Sequence, residues 1–153
     1  MFGLYNFVLS TKHKIMKTSK TTRIIFWSTT IIIFLFEGVM PALTSQTAYA
    51  KQSIQHLGYP QYFANAFVIF KVIGTLVLLI PAIPNRVKEW AYAGFAFDFI
   101  FAAISHYATD GLNFFTFFPI IFLGILIASY VTHERIINGR LFTSTVKANQ
   151  YAI

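Results

Sequence analysis

A chain of 153 residues that is 56% hydrophobic and 11% charged, with a mean hydropathy of +0.62, is not a water-soluble domain, where charged residues make up about 25%. The net charge of +7 gathers at the ends of apolar runs and on no recognition motif, which excludes a nucleic-acid partner and follows the pattern of membrane topology. With no cysteine, the chain excludes disulfides, thiol catalysis, thioether attachment of haem and iron–sulfur ligation by its own residues.

Residues 1–23 read as a basic cytoplasmic tail. Lys12, Lys14, Lys17, Lys20 and Arg23 occur there with no acid, which suits anionic lipid headgroups. Met16 is an alternative start that would leave residues 1–15 outside the native protein. Residues 24–43 form the first span, with Glu37 beside Gly38 in its outer half and Pro41 expected to kink or end the helix. The basic start, the apolar run and Ala48-Tyr49-Ala50 imitate a signal peptide with its cleavage site. That reading is set aside, because the run is longer than the usual ~7–15 residues and contains Glu37 and Pro41.

Residues 44–61 are polar and end in Gly58-Tyr59-Pro60; they predict a loop with a short surface helix around 49–56. Tyr49, Tyr59 and Tyr62 suit a belt at headgroup level. Residues 62–83 form the second span, with Lys71 and Gly74 inside it and Pro81 and Pro84 at its end. Residues 85–89 read as a short charged turn. The third span, 90–108, covers about 28 Å as a helix, close to the thickness of a bilayer core. Only Asp98 and His106 within it ionise. At helical spacing Ala91, Gly94, Asp98, Ala102, Ser105 and His106 share one face, while Phe97, Phe99, Ile100, Phe101 and Ile104 lie off it. Residues 109–113, with Asp110-Gly111, predict a tight turn. Residues 114–132 form a fourth span with no ionisable group, bent by Pro119, and residues 133–153 a polar tail.

The fold class is therefore all-α, an integral membrane four-helix bundle: a tail at 1–23, a transmembrane domain at 24–132 and a tail at 133–153. Ten of the Lys and Arg residues fall in the two tails and the second loop, against Lys51 alone in the first loop. This bias predicts both termini in the cytoplasm.

An acid near the centre of a span costs roughly 2.5–3.5 kcal/mol on insertion scales, so it faces protein, water or a counter-charge. At 1.5 Å per residue, Glu37 lies about 20 Å, Lys71 about 16–18 Å, Asp98 about 12 Å and His106 about 24 Å from the inner edge. We therefore expect these four to face one another, with Ser105 beside them. Glu37, Lys71 and Asp98 sum to one negative charge, so the cluster is expected to hold one exchangeable proton, with His106 or Glu37 its nearest stop to the outer face. A static ion pair with two neutral partners is the alternative. Haem between His56 and His106, and a metal at the acids and His106, are both disfavoured, the latter because Lys71 would compete with the cation. Trp27 and Trp90 read as interfacial anchors.

The chain resembles the DoxX-like family of small bacterial membrane proteins. The resemblance covers about residues 23–132 and rests on RIIFWSTT at 23–30, Glu37-Gly38, HLGYP at 56–60, FKVIG at 70–74 and, most specifically, KEWAYAGFAFDFIFAAISH at 88–106. Glu37 departs from the residue that many relatives carry before that glycine. The resemblance implies a four-helix transmembrane bundle, in a family named after a subunit associated with terminal quinol oxidation and thiosulfate:quinone oxidoreduction. The expected function is accordingly an accessory of a membrane redox system that binds a quinone or a lipid at Glu37, Lys71, Asp98, Ser105 and His106. The expected partners are the lipid bilayer, a second copy of the chain or a membrane oxidoreductase. No catalytic motif is present, and no cofactor is predicted beyond such a quinone. A small proton-coupled permease and a structural assembly factor are the alternatives.

Overall fold

The computed structural model describes residues 19–150, with side chains through residue 139. The sequence readings of residues 1–15 and of Lys12, Lys14 and Lys17 lie outside the described residues. Among those described, all regular structure is helical. The first helix, α1 (Lys20–Ile33), opens at Ser19, whose side chain accepts a hydrogen bond from the Thr22 backbone at 3.1 Å. It runs into a π-helical segment (Phe34–Val39) and then α2 (Met40–Thr44). Pro41 neither ends nor breaks this rod. In an α-helix its ring would collide with the carbonyl of Glu37, four residues back, and it has no N–H to offer. The wider π turn, in which the Met40 N–H bonds the carbonyl of Leu35, relieves that conflict at Glu37.

A short helix, α3 (Ala48–His56), stands in the first loop as expected, capped by the Thr47 side chain. After it come α4 (Gln61–Leu79) and α5 (Asn85–Asp110). Residues 85–89, expected as a charged turn, are instead the first turns of α5. Pro84 precedes them, where its fixed φ and missing N–H do no harm to a helix start. Gly111, with φ of 72°, ends α5 in a backbone conformation open to glycine. Then α6 (Phe114–Gln150) runs unbroken through Pro119 and well beyond the expected end of the fourth span. The helix continues through the polar residues 133–150.

Among the described residues, three helical stretches are long and apolar enough to cross a membrane: Lys20–Thr44, Gln61–Leu79 and Phe114–Gly139. Large side chains such as Ile69, Phe70 and Ile121 stand exposed on their outer faces, as lipid-facing surfaces do. The apolar core lies where α6 packs on α5 and α1, built on Ile33, Leu78, Tyr92, Phe95, Phe99, Phe122 and Leu126. Two glycines permit close approach. A Cβ on Gly38 would stand 2.5 Å from Thr75 Oγ1, and one on Gly74 would stand 2.9 Å from the Phe95 ring.

Beside the core sits a hub of hydroxyls. Ser129 Oγ lies 2.9 Å from Thr30 Oγ1 and 2.9 Å from Tyr92 OH, all three side chains buried. It joins α1, α5 and α6 inside the packed interior. Ser129→Ala is expected to strand both partners and to lower stability by about 0.6–1.7 kcal/mol, the scale of interhelical hydrogen bonds in bilayers. Denaturant unfolding in detergent micelles reads this; an unchanged midpoint would show the hub to be incidental.

Candidate functional site

The Asp98 face of α5 points away from the core. Tyr92, Phe95 and Phe99 take the packed side, so the stripe of Gly94, Asp98, Ala102 and Ser105 is left to face α4. Small side chains on that stripe do not let α4 close in. They open a cavity of about 780 Å³ between α2, α3, α4 and α5, within the usual range for small-molecule sites. Phe36, Met40, Phe63, Phe67, Phe97 and Phe101 give it apolar, mostly aromatic walls. Phe97 and Phe101 are themselves largely exposed, so the cavity opens sideways, toward the lipid-facing surface.

At its floor three charges meet. Lys71 Nζ donates to Glu37 Oε2 at 2.5 Å and lies 2.9 Å from Asp98 Oδ2. The side chains of Glu37 and Asp98 are only 11% and 8% exposed, so neither acid faces lipid. The π turn carries Glu37 to this point, Gly38 lets α4 approach it, and Lys71 also lies over the Phe67 ring at 5.0 Å. The contact with Asp98 Oδ2 has ion-pair distance without hydrogen-bond direction, and that oxygen keeps no hydrogen-bond partner.

Two expected members stand apart from this triad. His106 lines the same cavity but pairs within its own helix, its Nδ1 3.6 Å from Asp110 Oδ2 and its ring stacked on Phe115. Ser105 donates to the Phe101 carbonyl at 2.8 Å and accepts from Tyr59 OH at 2.7 Å. The sequence reading did not single out Asp110 or Tyr59 for these contacts. The spacing of His106 and Asp110, four apart on one helix, was the available signal for the first. Tyr59 carried none, since its partner lies 46 residues away.

Over the outer end of the cavity lies α3, which contributes Ala50 and Ile54 to its wall. It is latched at its end: His56 Nε2 donates to Asp110 Oδ1 at 2.6 Å. This hydrogen bond, aided by the charge of the neighbouring imidazoles, holds the Asp110 carboxyl below the usual carboxylate range. A depressed carboxyl contributes stability at pH above its ordinary value, and loses it as pH falls through the lowered one. The latch is thus expected to hold at neutral pH and to release only in strong acid. Spin labels at Gln52 and Thr109 would report one narrow distance at neutral pH. That distance should broaden in acid, and be broad at both pH values in Asp110→Asn. A narrow distance in Asp110→Asn at neutral pH would show that the latch does not hold α3.

Among the described residues no group of three or more His, Cys, Asp or Glu is placed to hold a metal ion. A sequence model of the DoxX-like family matches residues 25–129, which hold the triad and most of the cavity wall. No curated protein and no solved structure matches the chain.

Proposed function

Because the chain belongs to the DoxX-like family, and because its polar floor lies under an apolar cavity open to the lipid side, we propose that it is a four-span protein of the bacterial inner membrane that binds a small amphipathic molecule drawn from the bilayer. Quinones and lipids have the required shape, an apolar body with one polar end. The body would lie among the phenylalanines, and the polar end would meet Lys71, Asp98 and His106. The observation that carries this reading is Asp98 itself. A side chain 8% exposed, with one oxygen lacking a hydrogen-bond partner, faces a cavity of about 780 Å³. A binding role, without chemistry, needs no further group.

The fourth span is α5. It is less apolar than the others because it carries Asp98, Ser105 and His106, but short connections join it to α4 and α6. If both neighbours cross the bilayer, it crosses with them. Both termini then lie on one side, and the excess of Lys and Arg in the tails and around Arg86 makes that side the cytoplasm. Since the chain lacks cysteine, single cysteines at Lys51, Arg86 and Leu112 test this directly. An impermeant maleimide applied from outside is expected to label the first and third but not the second. Equal labelling at Arg86 and Leu112 would remove α5 from the membrane.

The ligand itself is tested by mass spectrometry of small molecules retained by gently purified protein. An amphiphile is expected with the native chain and is expected to be lost in Ala102→Trp, which fills the cavity. Retention of the same molecule by that variant would place it elsewhere.

A further inference from the structure

The polar atoms left over in the cavity are of one kind. Among the described residues, the buried side-chain atoms without a hydrogen-bond partner are Gln61 Oε1, Asp98 Oδ2 and His106 Nδ1, and all three residues line this cavity. The first two accept, while His106 Nδ1 lies 3.6 Å from Asp110 Oδ2 and is left to that carboxylate. Three donors near them are already engaged. Tyr59 donates to Ser105, Ser105 to Phe101, and Lys71 serves two carboxylates. The charge points the same way, since Glu37 and Asp98 outnumber Lys71 in a region walled by aromatic rings. An additional positive charge would make the floor neutral, and ring faces attract cations.

We propose that the occupant is a lipophilic ammonium: an amine carrying one positive charge on an apolar, preferably aromatic, body. Its N–H groups donate to Asp98 Oδ2 and to Gln61 Oε1, and its body lies against Phe67, Phe97 and Phe101. This rests on the reading that the cavity takes an amphiphile, and it narrows that reading by fixing the polar end. A quinone, whose carbonyls only accept, leaves both oxygens unmet.

Calorimetry on the full chain in nanodiscs, with empty nanodiscs as the blank, tests this with four probes of similar size: phenethylamine, phenethyl alcohol, hydrocinnamate and a short-chain benzoquinone. Phenethylamine is expected to bind about tenfold or more tighter than the alcohol, the scale of a hydrogen bond to a buried charge, with hydrocinnamate weakest. In Asp98→Asn the preference for amine over alcohol should vanish while the alcohol still binds. If the alcohol, the acid or the quinone binds as tightly as the amine, the ammonium is wrong and the amphiphile cavity stands. If none of the four binds, both fall. The comparison among probes on the native chain needs no variant, so an Asp98→Asn protein that fails to fold leaves the outcome decided.

Discussion

Lys71→Met is expected to destabilise the folded protein by about 3–5 kcal/mol, the range for removing one partner of a buried ion pair. Lys71 is the single cation between Glu37 and Asp98, and its loss leaves two buried carboxylates facing each other. The charge, not the side-chain volume, carries the effect, because methionine fills much of the same space. The triple variant Glu37→Gln, Lys71→Met, Asp98→Asn is therefore expected to recover most of the loss. Far-UV circular dichroism through a thermal ramp in detergent reads both. A single variant as stable as the native chain would mean that water already screens the triad, and would remove the argument for a dry cavity floor.

Gly38→Ala should follow, at about 1–3 kcal/mol, the cost of forcing a methyl group into packed space. Thr75 Oγ1 stands 2.5 Å from where that methyl would go and Thr75 Cβ 3.2 Å, and a buried, β-branched side chain has little room to turn away. The helices would separate there, beside Glu37. Gly124 is the matched control, since nothing lies within 4 Å of its added Cβ. Gly124→Ala should be neutral or stabilising by up to about 1 kcal/mol through helix propensity. Equal effects at the two sites would show that the approach of the first helix to α4 is looser than its geometry.

The charged floor was legible from the sequence because depth is linear along a helix. Glu37, Lys71 and Asp98 occur at similar heights in separate apolar runs, and isolated charges in lipid are too costly to persist. His106 misled the same reasoning. Its height matched Glu37, but height says nothing of direction around the helix axis, and Asp110 was nearer on its own helix. The stripe of small residues on α5 was visible too, and suggested close approach. Whether small residues admit a neighbouring helix or leave a void depends on the opposite face, and α4 offers Phe67 and Lys71 there. The short surface helix of the first loop was legible, but its place over the cavity depends on contacts such as His56 with Asp110, 54 residues apart. The helix that holds the fourth span runs on past residue 132 because polarity marks where a membrane ends, not where a helix does.

One extra residue in the first helix sets the phase of everything after it. Thr30, Ile33, Glu37, Pro41 and Thr44 read as a single stripe at ordinary helical spacing, yet Thr30 and Ile33 meet the packed interior while Pro41 and Thr44 meet the cavity. The insertion turns the later half by about 100° relative to the earlier one. Each half can thus change its neighbours without disturbing the other. Closing the π turn into an α-helix with no residue removed would swing the later half of the rod by that angle out of the cavity wall, whereas a one-residue deletion between Phe34 and Val39 would erase the π turn and leave Pro41 and Thr44 facing the cavity.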